Sequence, residues 1–187
     1  MASDTTLERI LNAFGDDPER PPEKPISKSD VSSWMTDDDL ETMGALSCLL
    51  TDERHYKRIT PPLNFEDYHP FMLRYFEKCL LENADSEWAS SRYEAGHETA
   101  NWFKGLWNEE GVPRTALEDL KAMLGKLYRQ GDDALRRCIV DATLEHLFEA
   151  PEIAHFFSDW KSDEDLGEAY RAAAEWVEKG GSALPHG

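Results

Sequence analysis

Apolar residues recur at helical spacing along most of this chain. Leu7, Ile10, Leu11 and Phe14 fall at i, i+3, i+4 and i+7 behind a cap at Ser3 or Asp4, and Gly15 ends that run. The next stretch, DDPERPPEKPISKSD, sets four prolines among charges. Proline lacks the amide hydrogen that a helix or a sheet ladder uses, so residues 15–30 are expected to form an extended linker without helix or strand. A second helix is predicted over Thr36–Asp52, with Leu40, Met43, Leu46, Leu49 and Leu50 on its apolar face. Asp37, Asp38 and Asp39 stand in its first turn, where the helix dipole favours negative charge. A third is predicted over Asp67–Asn83, bearing Tyr68, Phe71, Met72, Tyr75, Cys79 and Leu80, its start set by Pro70, which suits only a first turn.

Asp85 is the expected cap of a fourth helix reaching Asn108, rich in aromatics: Trp88, Tyr93, Trp102, Phe103 and Trp107. Pro113 opens a fifth with Leu117, Leu120, Leu124, Leu127 and Tyr128, stopped by Gly131. Asp132 or Asp133 starts a sixth, carrying Leu135, Cys138, Ile139, Ala142, His146 and Leu147. Pro151 opens a short seventh with Ile153, Phe156, Phe157 and Trp160. Ser162 and Asp165 have the spacing of a capping box for an eighth, which ends at Gly180–Gly181 before a fraying tail, SALPHG. No alternating strand pattern appears. The expectation is an all-α fold: an irregular bundle of about seven to eight helices, its C-terminal half stacked as antiparallel helical hairpins. Residues 1–30 form an N-terminal helix and Pro-rich linker, and residues 31–187 a single all-α domain.

Charge changes this picture most. Thirty-eight acids face twenty lysines and arginines, a net charge of -18. Nucleic-acid backbones and anionic membranes repel such a surface, whereas a basic protein is steered towards it. A solubilising role for the acids is the alternative. Mean hydropathy is -0.64, no apolar run is long enough to span a bilayer, and the N-terminus lacks the pattern of a secretory signal. A cytoplasmic protein is expected. The three cysteines, Cys48, Cys79 and Cys138, are widely spaced among apolar residues and are expected to be buried and reduced.

Motifs for phosphate loops, dinucleotides, nucleophile elbows and zinc proteases are absent. Glu94 with His97, Glu152 with His155, Glu66 with His69, and Asp52 with His55 share an acid-x-x-His spacing. Such a spacing puts both side chains on one helix face, as di-metal bundles require, so a metalloprotein using Glu94, His97, Glu152 and His155 is one alternative. First-turn acids and surface histidines explain the same residues without a metal. His146, on an apolar face, is expected to be a satisfied core histidine.

The stretch SRYEAGHETANWFKGLW offers a polar and aromatic face: Arg92, Tyr93, Glu94, His97, Glu98, Asn101, Trp102 and Trp107. Aromatic side chains and arginine dominate binding hot spots, and Asp37, Asp38, Asp39 and Glu41 add docking charges. In the second half, LEHLFE, FFSDW and AYRAAAEW resemble stretches of a family of small, acidic, all-helical bacterial proteins. Such proteins are similar in size, charge and lack of catalytic motifs to the immunity proteins of polymorphic toxin systems. That resemblance implies a non-enzymatic protein that neutralises a cognate, often basic, toxin domain by occlusion, with no cofactor. A helical adaptor or scaffold is a further alternative.

Overall fold

The computed structural model describes residues 5–15, 22–84 and 86–181. They divide into two compact units, one of residues up to 79 with 83–91, the other of residues 80–82 with 92 onward. The fold is all-α, as the periodicity predicts. Among the described residues no helix is long and apolar enough to cross a membrane.

In the first unit, helix α1 (Thr6–Phe14) starts at a capping box: Thr5 Oγ1 accepts from Glu8 N at 3.2 Å, and Glu8 Oε2 accepts from Thr5 N at 2.7 Å. The expected caps Ser3 and Asp4 lie outside the described residues; Thr5 performs the task. Ile10 is completely buried, and α1 packs on α3 (Leu40–Thr51). Helix α3 begins at Leu40 rather than Thr36 because Asp39 is its cap, its carboxylate taking Thr42 N at 2.9 Å. Leu40, Met43, Leu46, Leu49 and Leu50 are buried as predicted, but Cys48 lies on the opposite face and is exposed.

The linker ends sooner than expected. Ile26–Ser27 forms a two-residue strand, β1, paired in parallel with β2 (Ile59–Thr60), and Ser27 caps α2 (Lys28–Trp34). The prolines stop at Pro25, so the next amides are free to donate; Ile26 N gives its bond to the Arg58 carbonyl at 2.9 Å. Val31 and Trp34, at i and i+3, bury the inner face of α2. Asp52 caps α4 (Glu53–Tyr56). Helix α5 (Phe65–Glu82) starts earlier than Pro70 suggests, because Asn64 and Asp67 form a capping box. Pro70 therefore stands inside the helix, which forgoes the bond that position would give the Glu66 carbonyl.

In the second unit, α6 (Arg92–Asn108) and α7 (Arg114–Gln130) form a helical hairpin. Trp88 precedes α6, and the expected cap Asp85 lies outside the described residues. Asp132 caps a run made of α8 (Asp133–Cys138), a π turn (Ile139–Leu144) and α9 (Glu145–Phe148). After α10 (Pro151–Phe156) and a 3-10 turn (Ser158–Ser162), α11 (Leu166–Glu178) closes the unit. Its start is held by Asp163, whose Oδ1 accepts from Asp165 N and Leu166 N, both at 3.0 Å, and not by Ser162. The core is aromatic: Phe103 meets Phe157 at 5.7 Å, Phe157 meets Trp160 at 5.0 Å, and Phe148 meets Tyr170 at 4.9 Å.

Candidate functional site

The predicted binding residues fall in two places. In the first unit, most of the acid run serves the fold. Asp39 caps α3, Asp37 Oδ1 accepts from Asp39 N at 2.9 Å, and Glu41 Oε2 accepts from Trp88 N at 2.9 Å. Asp38 faces solvent with Arg74 at 3.5 Å, and Lys78 donates to its carbonyl oxygen. Two cations thus sit against this run and reduce its outward field.

In the second unit, α6 brings Tyr93, Glu94, His97, Glu98 and Asn101 to its exposed face. Its inner face is Ala95, Gly96, Thr99, Ala100, Phe103 and Leu106, all buried. Arg92 is turned away: it donates to the carbonyls of Leu80 at 2.6 Å and Leu81 at 3.1 Å, tying the end of α5 to the start of α6. Trp107 is held in the aromatic cluster, stacked on Phe103 at 6.2 Å and edge-on to Phe156 at 5.6 Å. Trp102 is half-buried. Tyr93 is 46% exposed, unusual for a large ring in this chain.

The π turn adds residues that the sequence did not single out. It lies against α6 at Gly96, where an added Cβ would come within 2.7 Å of Ala142 Cβ, and Thr143 Oγ1 donates to the Gly96 carbonyl at 3.0 Å. A π turn inside an α-helix re-aims the side chains that follow it. Here it carries Asp141, which lies close to the Tyr93 hydroxyl, and leads directly into Glu145. Burial raises both carboxyls above their ordinary range, and the Asp141 charge adds to the effect on Glu145, which is pushed up to about 7. Burial and the Asp141 charge also raise the Tyr93 phenol.

His97 and His146 meet alongside, ring centroids 4.7 Å apart, with Trp176 edge-on to His146 at 6.0 Å. His146 is half-buried in this ring cluster and faces Glu149 at 3.7 Å, so it is not the core histidine its apolar neighbours suggest. Burial and the neighbouring His146 lower the proton affinity of His97. Cys138 is buried, its thiol pushed up to about 11 by desolvation, which makes it a poor nucleophile. Among the described residues no three His, Cys, Asp or Glu side chains stand close enough to share a metal ion. The alternative metal set Glu94, His97, Glu152 and His155 is therefore not assembled; the ring beside His97 is His146.

Asp141 also borders a cleft of about 470 Å³ between α8 and α11, lined by Arg136, Arg137, Glu164 and Glu168. Arg136 is occupied by the Tyr128 carbonyl at 2.9 Å and lies over the Tyr128 ring. No family model matches the chain, and neither a curated protein nor a solved structure matches it.

Proposed function

We propose that this is a non-enzymatic binding protein for a basic protein partner, an immunity-type inhibitor that covers a cognate bacterial toxin domain in the cytoplasm. One observation carries the proposal: Tyr93 stands exposed on α6 close to Asp141 of the π turn, on a helix that also exposes Glu94 and Glu98. A large ring with a polar tip beside acidic groups, with Arg137 also near it, is the arrangement of an anchor accompanied by steering charges. The net charge of -18 supplies the long-range part of the steering.

One observation favours acid–base chemistry instead, the Glu145 carboxyl near 7. The cleft lined by Asp141 does not take in Glu145, so a ligand in that cleft would meet one of the two carboxyls. This favours the binding reading. The test is stopped-flow mixing with the product of the adjacent gene. The association rate is expected to fall tenfold or more between about 50 and 500 mM salt, as screening shortens the reach of the acids. Tyr93→Ala is expected to speed dissociation about tenfold and leave the salt slope of association unchanged. A salt-independent association rate, or an absence of binding, rejects the proposal.

A further inference from the structure

The geometry of the first unit points to a proton-sensitive latch: we infer that His55 and Arg58 fasten α1 while His55 is neutral and release it when His55 gains a proton. Arg58 is the hub. Its Nη1 donates to the Ala13 carbonyl at 2.8 Å and to His55 Nδ1 at 3.0 Å. Its Nε and Nη2 both donate to the Lys24 carbonyl, each at 3.1 Å. One guanidinium therefore joins the last turn of α1, the segment that leads into β1, and the end of α4. The Ala13 carbonyl is among the last of its helix, where partial negative charge makes a cation a favoured partner.

A guanidinium has five donors and no acceptor, so His55 Nδ1 must present its lone pair. That assigns the ring as neutral, with its hydrogen on Nε2. A proton on Nδ1 would turn this acceptor into a donor facing a donor, and would place a second positive charge against Arg58. Water cannot relieve the clash readily, because His55 is only 3% exposed. The outcome favoured on protonation is withdrawal of Arg58, which breaks its bonds to Ala13 and Lys24 together.

The surroundings agree with a ring that resists charging until mild acid. Among the described residues three charged groups act on it: Asp52, which favours the proton, and Arg58 and Arg54, which oppose it. Asp52 is engaged elsewhere, since it caps α4 and pairs with Arg54 at 2.6 Å. From α1 the ring meets Phe14, an apolar group, edge-on at 4.8 Å. Of the described residues before β1, Lys24 supplies its carbonyl to Arg58, and Arg9 of α1 lines the cavity beside Arg58. Desolvation is the largest influence and lowers the proton affinity of His55 below its ordinary value. The sign follows: the folded form binds this proton less tightly than the free chain, so the clasp is complete above about pH 6.5 and lost as pH falls below it.

Without Arg58, α1 keeps the buried Ile10 and the stacking of Phe14 on Trp88 at 5.5 Å. An isolated helix of nine residues is marginal in water, so undocking and melting of α1 are coupled. Release would uncover the seat of Ile10 on α3, a surface present only in acid.

The test is ¹⁵N relaxation of the full chain from about pH 7.5 to pH 5, with the His55 ring proton shift followed in the same samples. Order parameters for residues 6–14 are expected to fall from about 0.85 to below about 0.6 with a midpoint matching the His55 titration. His55→Gln keeps an acceptor oxygen and cannot take a proton, so its α1 should stay ordered throughout. Arg58→Gln should loosen α1 already at pH 7.5 and abolish the pH dependence. An α1 equally ordered at both ends of the range in the native protein overturns the latch. So does release in His55→Gln at the native midpoint. If that variant does not fold, a mismatch between the His55 titration and α1 release in the native chain overturns it equally.

Discussion

Gly44→Ala is expected to cost the first unit about 3 kcal/mol or more, an effect at the top of the overpacking range. The Cβ would lie 1.9 Å from the Trp88 carbonyl oxygen, 2.5 Å from its carbon and 3.1 Å from Ala89 N. These are backbone atoms, which cannot step aside by changing rotamer. The 88–90 segment is also held along its length. Trp88 N donates to Glu41, the Trp88 ring stacks on Phe14, and the Tyr75 hydroxyl pairs with Ser90 Oγ at 3.1 Å. Relief of the clash would move that whole segment off α3. The sign makes the test clean, because alanine in place of a mid-helix glycine ordinarily stabilises by about 1 kcal/mol. Gly105 of α6 is the control: among the described residues nothing outside its chain neighbours and its own helix backbone lies within 4 Å of its added Cβ, so Gly105→Ala should raise stability by about 0.5–1 kcal/mol. Urea unfolding of both variants measures the difference, and a Gly44→Ala protein as stable as the native one would show that the close approach is not required.

The contrast between these two glycines marks what a sequence can disclose. Helix spacing identified Leu46, Leu49, Leu120, Leu124 and Phe103 as inward residues, and each is buried. That works because burial repeats with the period of the helix, which is a local property. Gly44 and Gly105 look alike in sequence; only the segment arriving at Trp88 separates them. Of the two acids expected to start the sixth helix, Asp132 and Asp133, the first is the cap, whereas Asp39, expected inside a first turn, is itself the cap of α3. The strand at Ile26–Ser27 was hidden because its partner lies more than thirty residues away and its neighbours are prolines.

The candidate site was half legible. Tyr93, Glu94, His97, Glu98 and Asn101 share a face because residues three and four apart do so on any α-helix. Arg92 and Trp107 share the stretch but not the face, since each is claimed by neighbours from other helices. Asp141 and Glu145 did leave a trace, two acids four apart inside the apolar run CIVDATLEHLF. The π turn that sets their environment left none, because the packing of Ala142 and Thr143 against Gly96 is a tertiary event.

Glu145 carries the second large effect, and its sign is opposite to that of a salt-bridged acid. Its carboxyl is pushed from 4.5 to about 7 by burial and by Asp141, so the folded protein holds this proton more tightly than the unfolded chain does. Stability contributed by the protonated form is present near pH 4.5 and is lost as pH rises towards 7, after which the loss levels off. The full shift would correspond to about 3 kcal/mol, and solvent reaching a half-buried carboxyl reduces this to about 2 kcal/mol. Glu145→Gln keeps the shape and removes the charge. Its advantage over the native protein should be near zero at about pH 4.5 and grow to about 2 kcal/mol at about pH 8. His55 and His97, whose proton affinities are lowered, act in the other sense, removing stability as pH falls below about 6.5. They are common to both proteins and cancel in the difference. Asp141→Asn supplies a separate check: with the neighbouring charge gone, Glu145 should titrate at lower pH. Denaturant unfolding at several pH values measures all three proteins, and a Glu145→Gln advantage that does not change with pH would mean that this carboxyl is ionised as easily in the folded protein as in water.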